Sequence, residues 1–157
     1  MNNDMSLAGA ESVVEYVTVI LEDQMFGLPI GRVQDVFMPE SLTRVPLAPP
    51  EIAGVLNLRG RIVTAMDLRC RLGLPPRAPD VRPMAVGIEW RGESYGLLVD
   101  AVGEVMKLAD SGREPNPVNL DPKFAEVSMG VHRLEAQLLV VLDVERALAS
   151  PIQAVAA

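Results

Sequence analysis

Phe26–Val36 reads FGLPIGRVQDV, and Tyr95–Val105 reads YGLLVDAVGEV. Both run aromatic, Gly, Leu, any residue, Ile or Val, two free positions, Val, any residue, acid, Val. The stretches stand 69 residues apart. The same spacing holds upstream, where Val17, Val19 and Leu21 fall on Val86, Ile88 and Trp90. Each trio alternates, as the buried face of a strand does. A polar turn joins the paired segments in each copy, Glu22-Asp23-Gln24 and Arg91-Gly92-Glu93. Both copies therefore predict a β-hairpin.

The later parts of the copies match as well. GVLNLRGRIVTAMDL (Gly54–Leu68) aligns with GVHRLEAQLLVVLDV (Gly130–Val144), placing Gly54 on Gly130, Leu58 on Leu134, Ile62 on Leu138 and Asp67 on Asp143. Here the spacing is 76, so seven extra residues enter the second copy. They belong in the Pro/Asp/Asn-rich stretch Asp110–Lys123, a loop by composition. A unit of about 60–70 residues buries too little surface to be robust alone. The copies are expected to pack together, with or without exchange of strands at their junction.

The reading gives one domain over 16–150, with repeats at about 16–76 and 84–149. A disordered or loosely attached tail of 1–15 and a tail of 151–157 flank it. In copy one, strands are predicted at Tyr16–Glu22, Met25–Pro29, Gly54–Leu58 and Gly60–Met66. Arg32–Phe37 reads as a helical turn or an irregular strand. Pro49-Pro50 could start a short helix, and Leu68–Leu72 another, ended by Gly73. In copy two, strands are predicted at Ala85–Trp90, Ser94–Val99, Val102–Leu108, Val127–Leu134 and Gln137–Asp143, with a short helix over Val144–Ala149. Thirteen prolines and twelve glycines fit many short strands and tight turns, hence barrels or sandwiches.

Composition excludes several roles. Hydrophobic residues make up 49% and charged residues 22%, a globular balance. The net charge of −7 opposes binding to nucleic acid, whose affinity comes from neutralised phosphates. No apolar run approaches the roughly 18–20 residues of a membrane span, and the first residues lack a signal-peptide pattern. One cysteine, Cys70, forms no internal disulfide, so a reducing cytoplasm is the expected location.

Catalytic patterns are missing from the sequence. His132 is the single histidine and falls where copy one has Leu56. No Cys/His spacing resembles a zinc set, and no nucleophile elbow or phosphate loop occurs. Cys70 between Arg69 and Arg71 is a place where a thiol pKa could fall, though an inert or buried thiol is the plainer reading. Asp67 and Asp143 each end a strand before a possible helix, which suits a cap. No enzyme, metal or cofactor is expected.

The repeat also filters for function. Gly27/Gly96, Leu28/Leu97 and Gly54/Gly130 are kept in both copies and read as structural. Asn57-Leu58-Arg59-Gly60 has Arg133-Leu134-Glu135-Ala136 as its counterpart, so Arg59 and Gly60 are not shared. Arginine offers a planar five-donor fork suited to a carboxylate. A solvated arginine in an ordinary turn is the alternative.

On FGLPIGRVQDV, VPLAPPEIAGVLNLRGRIV, MDLR, YGLLVDAVGEV and LLVVLDVERAL, the chain resembles the CheW-type chemotaxis coupling proteins over roughly Tyr16–Leu148. The resemblance implies a mostly β fold: two similar five-stranded SH3-like β-barrels around a shared core, with a few short helices. It implies a non-catalytic scaffold coupling chemoreceptor cytoplasmic tips to the regulatory domain of a CheA-type histidine kinase. Other CheW-like domains would be partners in array rings. The protein would be cytoplasmic, associated with membrane-bound receptor arrays but not inserted in the membrane. A receptor-binding groove between the barrels would take Val33 and Asp35 from VQDV, with Asn57, Arg59 and Gly60 from the arginine turn. The acid and arginine would lie close together. Aspartate stands where glutamate is frequent, Thr64 where proline is frequent, and Arg113–Ala125 matches poorly. The rival readings are an adaptor of a chemosensory pathway for pili, surface growth or development, and an SH3-like module for proline-rich peptides. The latter needs an aromatic groove, and Phe26, Trp90 and Tyr95 are expected in or near cores.

Overall fold

The computed structural model describes residues 12–149. Eleven strands follow one another: β1 Val13–Leu21, β2 Gln24–Pro29, β3 Val33–Phe37, β4 Ile52–Leu58, β5 Arg61–Asp67, β6 Met84–Trp90, β7 Glu93–Val99, β8 Ala101–Ala109, β9 Arg113–Glu114, β10 Ser128–Arg133 and β11 Leu138–Leu142. Three short helices punctuate them: α1 Leu68–Arg71, α2 Pro122–Ala125 and α3 over residues 144–149. Of the flanking tails, only residues 12–15 are described, and Val13–Glu15 already belong to β1.

The strands form two sheets. One has the order β3-β6-β7-β5-β4 and the other β8-β1-β2-β11-β10-β9. Each draws on both copies. The β1–β2 hairpin of copy one lies parallel to β11 of copy two, with Phe26 opposite Val140. The β6–β7 hairpin of copy two lies parallel to β5 of copy one, with Tyr95 opposite Thr64. The two hairpins have thus traded barrels, each in the same register relative to its host.

The exchange follows from two-faced strands. Val19, Leu21, Phe26 and Leu28 on one hairpin, and Val86, Ile88, Leu97 and Val99 on the other, are all fully buried in one cluster that both sheets share. Side chains of this size stabilise by about 1.5–3 kcal/mol each when fully buried. Smaller clusters fill each barrel: Leu56, Val63, Ala65, Ala85 and Leu98 in the first, Tyr16, Leu139 and Val141 in the second. Phe26, Trp90 and Tyr95 are buried in the shared core, so none lines a peptide groove.

Both barrels close at a glycine. Gly54 and Gly130 have φ of +153° and +125°. A Cβ on either would stand 2.6 Å from the Thr43 carbonyl oxygen or 2.8 Å from that of Glu114. The first barrel closes through a single bridge from Thr43 to Val55. In the second, Arg113–Glu114 pair with His132 and Val131 as a sixth short strand, β9.

Several local expectations change. Arg32–Phe37 resolves into a 3₁₀ turn over Ile30–Arg32 followed by β3. Pro49-Pro50 starts no helix. The segment carries turns that end with Ile52 N–H donating to the Pro49 carbonyl, because Ile52 already begins β4. The stretch read as a loop over Asp110–Lys123 contains a 3₁₀ turn, β9 and the start of α2. Asp67 and Asp143 act as caps, accepting from the Arg69 and Arg146 amides.

A half-buried ionic cluster ties the linker between copies to the barrels. Asp100, in the β7–β8 turn, accepts from Arg69 at 2.8 and 2.6 Å and from Arg77 of the linker at 2.8 Å. It also accepts from the Glu22 amide at 2.8 Å. Burial alone would raise its carboxyl, but the hydrogen bonds from Arg69, Glu22 N–H and Arg77 outweigh this and hold it at about 2. The stability it supplies, about 2 kcal/mol, is present above the ordinary Asp value near 3.9 and is lost as pH falls through about 2. Asp100→Ala leaves two guanidiniums, 14% and 8% exposed, without their carboxylate, at a cost of about 3 kcal/mol in urea denaturation at pH 7. Asp100→Asn should flatten the loss of stability between pH 4 and 2. An unchanged acid limb would show that the cluster carries no such charge.

Candidate functional site

The Arg59-Gly60 turn joins β4 to β5, with Leu58 paired to Arg61 across it. The φ angles of +53° and +82° are those of a type I′ turn, whose twist matches the flanking strands. Asn57 Oδ1 accepts from the Gly60 N–H at 2.8 Å and braces the turn. A left-handed arginine is uncommon, yet the β6–β7 hairpin repeats it with Arg91-Gly92 at +53° and +80°. The conformation is thus a feature of the hairpins, and the side chains make the difference. Arg91 lies over the Trp90 ring at 4.5 Å. Arg59 reaches across to Asp35 on β3, with 3.6 Å between Nη1 and Oδ2.

A β-bulge aims Asp35 at that spot. The register steps from Val33 opposite Ile88 to Asp35 opposite Gly87, leaving one extra residue in β3. Val33 therefore takes the Ile88 side and packs on the shared core, while Asp35 takes the Gly87 side. Asp35 Oδ1 is buried there without a hydrogen-bond partner, and a Cβ on Gly87 would collide with it. Asp35 is 24% exposed and Arg59 is 78% exposed. So open a pair contributes about 0–1 kcal/mol. Its effect is to orient the guanidinium across the seam between the sheet's two outer strands. Beside the seam lies a groove of about 590 Å³, walled by Phe37, Met38, Thr43, Leu56, Asn57 and Ile62.

A model of the CheW-like domain family matches residues 15–151. The chain belongs to the CheW-like domain family. It is 29% identical to the probable chemotaxis protein CheW of Rhizobium etli over 131 residues, 83% of this chain and 84% of that one. It is 28% identical to chemotaxis protein CheW of Klebsiella aerogenes over 144 residues, 92% and 87% of the two chains. The crystal structure of the scaffolding protein TtCheW from Thermoanaerobacter tengcongensis superposes with a TM-score of 0.74. It is 28% identical, covering 83% of this chain and 89% of that one. The CheW-like fold of two SH3-like barrels is thus present here, the second barrel carrying the additional short β9.

All five residues singled out from the sequence belong to the five-stranded sheet of this CheW-like domain, Val33, Asp35 and Asn57 on its strands and Arg59 and Gly60 in its β4–β5 turn. The structure brings Asp35, Asn57, Arg59 and Gly60 together and leaves Val33 half-buried on the other face, packed against the shared core. The cluster sits where β3 and the β4–β5 hairpin of the first barrel approach. Gly87 is the residue that sequence reasoning missed. Its repeat counterpart is Thr18, whose hydroxyl donates to the Glu104 carbonyl at 2.7 Å, so a glycine facing a threonine across the repeat was the available signal. The counterparts of Asp35 and Arg59 are Glu104 and Glu135, both exposed acids. Opposite charges meet at the first seam, while acids hold both matching positions of its counterpart, with Arg133 standing at the position of Asn57.

Cys70 is exposed, and its thiol is pushed up by partial burial, then by Glu51 and Asp67. The flanking arginines do not activate it. Arg69 is held by Asp100, and Arg71 donates to the Ala147 and Arg146 carbonyls. Among the described residues, no group of three or more His, Cys, Asp or Glu is placed to hold a metal ion.

Gly87→Ala should cost about 1–3 kcal/mol by overpacking against Asp35. Most of that loss should return in the Gly87→Ala, Asp35→Ala double variant, measured as a double-mutant cycle in urea. Equal losses with and without the carboxylate would mean that Gly87 is small for another reason.

Proposed function

We propose that the protein is a non-catalytic scaffold coupling the cytoplasmic tips of chemoreceptors to the regulatory domain of a CheA-type histidine kinase. Family membership supports this, as do the relatives described as chemotaxis proteins and the solved neighbour described as a scaffolding protein. The observation that carries it furthest is the arginine seam. Arg59 is displayed on a left-handed turn, oriented by Asp35, and replaced by Glu135 at the matching position of the second barrel. A guanidinium so placed offers a partner directional donors at little cost in order.

In this reading a receptor's helical hairpin lays an apolar edge into the groove beside Ile62 and Met38, which are 63% and 52% exposed. Arg59 sets the register at the rim. Kinase and other CheW-like domains engage elsewhere on the barrels. Many modest contacts in a lattice add up through avidity. Attachment to arrays at the cytoplasmic face of the membrane runs, in this reading, through protein partners. Among the described residues no helix is long and apolar enough to cross a membrane.

Arg59→Glu should reduce receptor retention in pull-down at least tenfold while kinase retention persists. Its melting temperature should move by less than about 3 °C, as loss of an open ion pair implies. Unchanged receptor retention would remove the seam from the receptor interface. A large fall in melting temperature would make Arg59 structural.

A further inference from the structure

His132 sits inside the second barrel, only 4% exposed. It pairs with Leu139 as its repeat counterpart Leu56 pairs with Val63. An imidazole therefore fills an aliphatic site. Its ring meets Tyr16 edge-on, with centroids 5.7 Å apart, and Nε2 is buried without a hydrogen-bond partner. Over the other nitrogen runs the corner that closes the barrel, where a Cβ on Gly112 would stand 3.7 Å from Nδ1.

The charged groups around the ring offer an added proton little. Tyr16 of β1 presents a neutral ring. Asp110 of the corner is paired to Arg113 at 3.5 Å, and Glu114 of β9 to Arg133 at 3.0 Å. Arg113 itself opposes a second positive charge. Leu139 of β11 is apolar and fully buried. β9 pairs with β10 only through Val131–Glu114 and His132–Arg113, and the corner is otherwise tied by the Asp110 N–H to the Ser12 carbonyl at 2.7 Å and by Arg113 to the Met129 carbonyl at 3.2 Å.

We propose that His132 makes the closing corner of the second barrel acid-sensitive: its protonated ring leaves the barrel interior and residues 110–114 lift away. An imidazolium must place N–H donors at both nitrogens, and Nε2 points into a site built for hydrocarbon. Release past Gly112 hydrates the charge but opens the β9 pairing. Burial first, and then Arg113, favour the neutral ring in the closed state. The open or unfolded chain therefore takes the proton first. Stability falls as pH drops through about 6.5, the ordinary histidine value. The Arg59 seam lies on the other barrel, and the inference stands independently of the receptor-coupling proposal.

The test compares the natural chain with His132→Leu, which installs the residue of copy one, and with His132→Gln, a polar side chain that does not titrate. Urea unfolding and amide exchange are followed at pH 7.5 and 5.5, and the imidazole is titrated by NMR. Between those pH values the folded-to-unfolded ratio of the natural chain should fall by up to about tenfold relative to either variant. Exchange at residues 112–114 should rise before the rest of the sheet. If the leucine variant does not fold, the glutamine variant serves for the same comparison. Parallel loss of stability in the natural chain and the variants would overturn the proposal. So would an imidazole titrating near 6.5 with exchange at the corner unchanged.

Discussion

Everything in this molecule depends on the trade of hairpins between the two repeats. β1–β2 and β6–β7 are each apolar on both faces, one turned to a barrel interior and one to the shared core. A single repeat could cover only one of these faces. Lending the hairpin to the other half covers both, and the parallel pairings β2–β11 and β5–β7 lock the exchange in register. The barrels thereby become one body. The linker that permits the trade is clamped by the Asp100 cluster, which gathers Arg69, Arg77 and the Glu22 amide around one carboxylate.

A repeated frame makes divergence easy to see. Where both halves need the same backbone, they keep the same residue, as at Gly54 and Gly130, each pressed against a closing carbonyl. The bulge between β3 and β6 recurs between β8 and β1, yet its occupants differ. Thr18 fills one and bonds to backbone. Gly87 empties the other, and Asp35 turns into the space. One small residue on β6 thus determines which barrel can hold a carboxylate against an arginine. The same contrast separates Leu56 from His132, an aliphatic plug from a titratable one.

Much of this was legible in the sequence because period-two hydrophobicity and a copied motif constrain each other. The hairpins, the aspartate caps and the arginine turn all follow from residue order. Proximity of Asp35 to Arg59 came only through the family resemblance, since no local rule links residues on two outer strands. The parting of Val33 from Asp35 was hidden, because VQDV carries no mark of the extra residue that flips its parity. The Pro49-Pro50 helix was misread because a favourable helical start was outweighed by entry into β4. β9 was missed because two residues have no periodicity to read.

The claim with most at stake is that the arginine seam of the first barrel, and not its acidic counterpart in the second, faces the receptor. Amide exchange of the whole chain, with and without a purified receptor cytoplasmic fragment, tests it directly. The account expects new protection along Val33–Phe37 and at the 57–62 turn, with residues near Glu104 and Glu135 unchanged. Protection confined to the second barrel, with the 57–62 turn exchanging as before, would contradict it.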